Sequence, residues 1–272
     1  MSEEKYIKPL IKWAGGKTQI LDVLYNNFPR TMNNYHDVFL GGGSVLLMIL
    51  EEERRGNIEI RGKKFGYDCN PVLISMFKNV QQHPKELYEE VMKIKREYME
   101  CEGDSINRKP EKIEEAKESK NNYYYWIRNK YNKMSKEEKS SIRGSAMFIF
   151  LNKTCFRGLY REGPNGFNVP FGNYENPSIV DEEHILKVSN LIHDVEFVCC
   201  DFEETIKNTK PHDFVYLDPP YVPIDKTTFV KYVEGGFNKE QHEKLFMLCN
   251  GMLRTTKKFL LNNHNVELVK DS

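Results

Sequence analysis

The stretch His36-Asp-Val-Phe-Leu-Gly-Gly-Gly-Ser44 decides how the chain is read. Its first five residues make the short, mostly apolar run of a buried strand, Gly41, Gly42 and Gly43 make a turn, and residues 45–55 have the spacing of a helix. A second strand is expected at Phe65-Gly-Tyr-Asp68, ending in an acid. Pro71 then falls in the first turn of the next helix, where its missing N–H costs nothing. Strand, helix, strand in this order predicts a parallel pair. Further strands are expected at Val195-Glu-Phe-Val-Cys-Cys200, Phe214-Val-Tyr-Leu217 and Lys258-Phe-Leu-Leu261, separated by helices over residues 201–207 and 238–254. Between the two sets, residues 83–141 carry long charged helical patterns, such as Leu87, Val91, Ile94 and Tyr98, broken by a polar stretch near 101–110. The expected fold class is α/β, with one parallel sheet drawn from residues 1–82 and 190–272 and a helical domain over 83–189 grown out of a loop.

The 272 residues suffice for one large domain or two modest ones. No segment approaches the roughly eighteen consecutive apolar residues of a membrane span, and the amino-terminal MSEEKYIKPL lacks the apolar stretch of a secretory signal. A soluble, cytoplasmic protein without a membrane partner is expected. Cys69, Cys101, Cys155, Cys199, Cys200 and Cys249 show no C-x-x-C spacing and the histidines form no H-E-x-x-H, so neither a zinc site nor a disulfide frame is indicated. Forty basic and forty acidic residues cancel. Local charge differs: between Arg143 and Tyr174 the charges are Arg143, Lys153, Arg157, Arg161 and Glu162, interleaved with Phe156, Tyr160, Phe167 and Phe171. A cationic, aromatic surface of this kind can bind nucleic acid within a neutral protein, and the same pattern also suits a solvated loop.

In an open parallel sheet, ligands bind beyond the carboxyl ends of the strands. Here those ends carry Gly41 to Gly43, Asp68, Asp201 and Asp218. Glycines after the first strand admit a cofactor closely, and an acid ending the second accepts hydrogen bonds from ribose hydroxyls. The third glycine of the dinucleotide fingerprint is missing, so a pyrophosphate is not demanded. Gly16-Lys17-Thr18 has the ending of a phosphate-binding P-loop, but the position that needs the first glycine is Ile11. A loop leading into a helix over residues 18–24 is expected there.

The segment Phe214-Val-Tyr-Leu-Asp-Pro-Pro-Tyr221 delivers an acid, two prolines and an aromatic ring to the sheet edge. Consecutive prolines lock φ and present carbonyls in a fixed direction. An amino group on a flat ring can be held there by the Asp218 carboxylate and the Pro219 carbonyl, with Tyr221 as a stacking face. Such an amine is a poor nucleophile because its lone pair is delocalised into the ring. Holding both hydrogens out of plane favours a tetrahedral nitrogen whose lone pair meets an electrophile, which is catalysis by positioning.

With these residues assembled, the sequence resembles the Dam-type (D12 class, alpha group) adenine-N6 DNA methyltransferases over nearly its whole length. The matching segments are Lys12-Trp-Ala-Gly-Gly-Lys17, Phe39-Leu-Gly-Gly-Gly-Ser44, Tyr67-Asp68, Gly158-Leu-Tyr-Arg161 with Phe167-Asn-Val-Pro-Phe-Gly172, Asp201-Phe202 and Asp218-Pro-Pro-Tyr221. The resemblance implies a Rossmann-like sheet, S-adenosyl-L-methionine as cofactor, double-stranded DNA as substrate and no metal, because the methyl group arrives activated. It implies that Trp13 and Lys17 lie along the cofactor, that Phe39, Gly41 and Gly43 line its methionine part, that Asp68 takes the ribose, and that Asp201 and Phe202 hold the adenine end. Asp218, Pro219 and Tyr221 would be catalytic, with Asp218 also beside the cofactor. Lys12 and Arg161 match positions that read guanines in members specific for GATC. Phe156 and Leu159 match positions that wedge into the base stack around the extruded adenine, and Tyr174 matches a base-contacting position. Arg157 stands where the best-known members carry asparagine, and its charge is expected to meet phosphate.

Members usually continue past the strand matching residues 258–262 with a final strand pair, so this sequence predicts an exposed sheet edge. The expected activity is methyl transfer to adenine N6 in GATC. The alternatives are another tetranucleotide such as CATG, or a catalytically impaired DNA-binding relative. A cognate restriction endonuclease is a partner the resemblance admits.

Overall fold

The computed structural model describes residues 5–221, 237–255 and 257–263, and they form two compact units. One unit holds residues 17–70 and 194–272; the other holds residues 1–16 and 71–193. In chain order the elements are α1 (Leu21–Asn27), β1 (Thr31–Met32), β2 (Tyr35–Asp37), α2 (Ser44–Arg54), β3 (Glu59–Ile60), β4 (Lys64–Asp68), α3 (Pro71–Gln82) and α4 (Pro84–Met99). There follow α5 (Ile113–Lys117), α6 (Lys120–Lys133), α7 (Lys136–Ser140), α8 (Ile142–Thr154), a 3-10 turn at Phe156–Gly158, β5 (Glu162–Gly163), β6 (Gly166–Phe167) and α9 (Glu182–Leu191). The last are β7 (Val195–Cys199), α10 (Phe202–Asn208), β8 (Phe214–Leu217), α11 (Lys239–Leu253) and β9 (Lys258–Leu261).

The first unit is built on a parallel sheet in the order β7-β4-β2-β8-β9. All four residues of β8 are buried, which is why Phe214-Val-Tyr-Leu217 reads as a continuous apolar run rather than an alternation. Val38, Val215 and Leu217 pack with Phe202 and Ile206 of α10 and with Leu245, Cys249 and Met252 of α11. Phe28, which caps α1, meets the rings of Tyr35, Phe214 and Tyr216. Beside Tyr35, Asp213 accepts hydrogen bonds from Asn33, Asn34 and the Lys210 backbone and pairs with buried His36 at 3.0 Å. Burial works to raise the Asp213 pKa, but these donors outweigh it and hold the carboxyl below its usual value.

Two expectations need correction. The helix expected from residue 18 starts at Leu21, because the Lys17 N–H is tied to the Ser44 hydroxyl at 3.2 Å and a turn from Lys17 to Ile20 must come first. The strand expected over residues 36–40 keeps regular pairing only through Asp37. Beyond it, the Val38 N–H bonds to Tyr216 and the Leu40 N–H to Tyr67 on opposite sides, so the chain leaves one ladder for the other as it enters the glycine turn.

The second unit is mostly helical. Leu87, Val91, Ile94 and Tyr98 are the buried face of α4, as their spacing predicts. α8 is buried from Gly144 through Asn152, consistent with its unbroken apolar sequence. Ser119, Ser135, Ser141 and Asp181 each accept a backbone N–H at the start of a helix, which fixes where α6, α7, α8 and α9 begin.

Candidate functional site

In the sheet-bearing unit the carboxyl ends of three neighbouring strands converge. Gly41 (φ 51) and Gly43 (φ 77) take the left-handed conformation, and Gly43 caps α2 without a side-chain acceptor. Asp68 at the end of β4 braces this turn, with Oδ2 accepting the Gly41 N–H at 3.1 Å and Oδ1 accepting the Asn70 N–H at 2.9 Å. Burial raises its pKa against those two bonds. Asp201 is exposed and caps α10 through a bond from the Glu204 N–H. Phe202 is buried, and its ring stacks on Phe39 at 5.8 Å.

Asp218 ends β8. Its Oδ2 pairs with the Lys17 ammonium at 2.6 Å, while buried Oδ1 has no hydrogen-bond partner among the described residues. Lys17, only 6% exposed, also lies 4.8 Å from the centre of the Tyr221 ring. Burial raises the Asp218 pKa, and Lys17 pulls against it. Asp37, 1% exposed, completes the group. Its Oδ1 also has no partner among the described residues, and burial, then Asp218 and Asp68, push its pKa up to about 8. Three carboxyl groups with one ammonium among them, two of the three (Asp37 and Asp218) each keeping a buried oxygen without a partner among the described residues, suit a ligand that brings positive charge and N–H or O–H donors.

The helical unit carries the cationic, aromatic surface. Phe156 and Leu159 are 45% and 40% exposed at the tip that follows α8. Between them Arg157 (φ 57) and Gly158 (φ 66) both adopt the left-handed conformation. The Arg157 guanidinium lies 5.1 Å from the Phe156 ring centre, and the Arg157 backbone N–H donates to the Tyr174 hydroxyl. Lys12 reaches 4.9 Å from the Tyr174 ring centre. Arg161 is exposed, and its Nε donates to Asn168 Oδ1 at 2.6 Å across the β5–β6 hairpin. Half-buried Lys153 has its pKa lowered to about 8 by burial and by Lys12. Trp13 stacks on Tyr160 at 5.4 Å and meets Phe148 edge-on. Lys12, Phe156, Arg157, Leu159, Arg161 and Tyr174 thus share one unit with Trp13, and Lys17, Phe39, Gly41, Gly43, Asp68, Asp201, Phe202, Asp218, Pro219 and Tyr221 share the other.

A family model, D12 class N6 adenine-specific DNA methyltransferase, matches residues 13–272. The chain belongs to that family. It is 35% identical to the type II methyltransferase M.MjaIII of Methanocaldococcus jannaschii over 96% of this chain and 86% of that one. It is 28% identical to the DNA adenine methylase of Haemophilus influenzae over 97% and 82%, and 26% identical to that of Escherichia coli K12 over 97% and 83%. The protein is therefore an adenine-specific DNA methyltransferase, and DNA is its substrate.

In this methyltransferase the departure at Arg157 has a physical reading. Asparagine tolerates the left-handed region because its short side chain bonds locally, whereas a long side chain there is strained by about 1 kcal/mol. The chain accepts that cost and gains an exposed cation at the tip. Sequence reasoning missed Asp37, Asn152 and Asn168. Asp37 and Asn152 were signalled by a polar residue inside an apolar run, His36-Asp-Val-Phe-Leu40 and Phe148-Ile-Phe-Leu-Asn152. Asn168, in a short polar hairpin, had no such signal. Among the described residues, no group of three or more histidine, cysteine or acidic side chains is placed to hold a metal, and no helix is long and apolar enough to cross a membrane.

Proposed function

We propose that this methyltransferase transfers methyl from S-adenosyl-L-methionine to the extruded adenine of GATC. The observation that carries the reading is the buried Oδ1 of Asp218, which has no hydrogen-bond partner among the described residues, in the residue that precedes Pro219. When bound, S-adenosylmethionine supplies a methyl group on a sulfonium centre. Asp218 Oδ1 and the Pro219 carbonyl accept the two hydrogens of the adenine amine and turn its lone pair out of the ring plane. Lys17 fixes the Asp218 carboxylate by holding Oδ2, so Oδ1 is oriented before substrate arrives. Tyr221 offers the stacking face. Asp68 takes the ribose hydroxyls while bracing the glycine turn, Asp201 and Phe202 hold the adenine of the cofactor, and Phe39, Gly41 and Gly43 line the remainder. The Asp37 oxygen without a partner among the described residues and the left-handed glycines support this fit to a cationic, donor-rich cofactor.

Residues 83–189 form the recognition domain in this reading, and residues 1–82 and 190–272 the catalytic domain. Lys12 and Arg161 read guanines, Phe156 and Leu159 wedge at the vacated position, Tyr174 touches a base and Arg157 meets phosphate. A cognate endonuclease is a further partner in this proposal. The test is base-modification sequencing of DNA from a methylation-free host expressing the chain. N6-methyladenine confined to GATC supports the reading, confinement to CATG or another tetranucleotide overturns the assigned sequence, and unmodified DNA from a folded, DNA-binding protein overturns the activity.

A further inference from the structure

Asn152, at the buried end of α8, is 1% exposed, yet its side chain stabilises no contact within its own helix. Oδ1 accepts the Lys12 N–H at 2.8 Å, and Nδ2 donates to the Lys12 carbonyl at 2.8 Å and to the Gly158 carbonyl at 3.1 Å. The arrangement fixes the orientation of the amide, because only oxygen can face an N–H and only nitrogen can face two carbonyls. Burying an amide is costly unless its bonds are made, and an apolar side chain would fill the same space without that demand. What the amide alone can do is join two stretches of backbone: the amino-terminal segment at Lys12 and the exposed tip at Gly158. Lys12 lies outside any helix or strand, and Gly158 ends a single 3-10 turn.

The Lys12 side chain is constrained beyond this grip. Its aliphatic stem lies across Gly158, where an added Cβ would fall 2.5 Å from Lys12 Cβ and 2.6 Å from Cδ, and its ammonium lies over the Tyr174 ring. Trp13, the next residue, stacks on Tyr160 of the tip's far side. Lys12 is thus seated on the turn that carries Phe156 and Leu159, and the Asn152 amide supplies the hydrogen bonds that join the two backbones.

We propose that Asn152 is a positioning residue that holds the Lys12 backbone and the 156–159 tip in one register, so that base reading by Lys12 and base extrusion by the tip both depend on its amide. The inference rests on the guanine-reading role of Lys12 given above. Asn152→Asp is close to isosteric and keeps the acceptor for the Lys12 N–H, but removes both donations and sets a carboxylate against two carbonyls. Asn152→Ser removes the donation to both segments without adding charge.

The test uses the full chain with duplex oligonucleotides, one carrying 2-aminopurine at the target adenine and a set substituted at each base of the site. Thermal melting with and without S-adenosylmethionine establishes that each variant is folded. For Lys12→Ala we expect roughly tenfold loss of discrimination at one guanine with the 2-aminopurine signal retained. Either Asn152 variant should lose the same discrimination and, in addition, most of the 2-aminopurine signal; combining it with Lys12→Ala should cost no further discrimination. That non-additivity is what a general loosening of the fold would not produce. Folded Asn152 variants that keep both signals, or a double variant whose losses simply add, overturn the role of Asn152. Full discrimination in Lys12→Ala overturns the base-reading assignment instead, and with it the coupling drawn from it.

Discussion

Replacing Asp218 by alanine removes two interactions that the geometry keeps apart on two oxygens. Oδ2 is committed to Lys17 at 2.6 Å, and Oδ1 has no partner among the described residues. The side chains are 14% and 7% exposed, so the pair is largely shielded from solvent. Two unit charges at that separation interact by about 6 kcal/mol at an effective dielectric of 20, before desolvation is subtracted. Breaking one partner of such a buried pair costs about 3–5 kcal/mol, because the remaining charge loses its nearest counter-ion. Melting of Asp218→Ala should therefore show a clear loss of stability. Catalysis should fall by more than about a hundredfold, the loss typical of one preorganised electrostatic contact. Cofactor binding should stay near normal, since Oδ1 acts on the target amine. The assay is transfer of labelled methyl to a GATC duplex under single-turnover conditions, at a temperature where melting shows both proteins folded. Near-normal turnover by Asp218→Ala would refute the reasoning. A rate loss matched by an equal loss of cofactor affinity would move Asp218 from the amine to the cofactor.

Asp68→Ala should weaken S-adenosylmethionine binding by roughly 1.5–3 kcal/mol for each charge-assisted bond lost, and it also frees the Gly41 N–H; unchanged affinity by calorimetry would remove Asp68 from the ribose. Arg161→Ala should relax one base position by about 1–3 kcal/mol, whereas Arg157→Ala should weaken all sequences alike and lower the salt dependence by about one counter-ion. Binding to substituted oligonucleotides at several salt concentrations decides between them, and the reverse pattern would exchange their roles. Asp37 is held neutral in the folded protein up to a pKa of about 8 but ionises near 3.8 when unfolded, so folding takes up a proton in that window and stability declines as pH rises through it. Asp37→Asn should remove this decline and stabilise the cofactor-free protein at pH 8 by several kcal/mol, since each tenfold difference in proton affinity between the folded and unfolded chain is worth about 1.4 kcal/mol. Chemical denaturation between pH 5 and about 8 reads the slope, and a slope unchanged by the substitution would show that Asp37 is ionised throughout.

Much of this was legible in the sequence because local chemistry dictates it. The strands at Phe65-Gly-Tyr-Asp68, Phe214-Val-Tyr-Leu217 and Lys258-Phe-Leu-Leu261 follow from short apolar runs, of which Phe214-Val-Tyr-Leu217 is buried throughout, and the glycine turn takes two left-handed positions. The acid at each strand end lies at the sheet's carboxyl edge because parallel strands all finish on the same side. What periodicity cannot encode is which polar atoms meet across long separations. That Lys17 holds one oxygen of Asp218 and leaves the other free is a bond between residues far apart in the chain. That Asp37 is neutral depends on burial and on carboxyls from two other strands. That Asn152 joins Lys12 to Gly158, and that Arg157 occupies a backbone region its side chain disfavours, are settled by the packing of a helix end against two irregular segments. Sequence pattern fixes which elements form, because each has its own period. The state of a charge or an amide depends on three-dimensional neighbours, and only the folded chain brings them together.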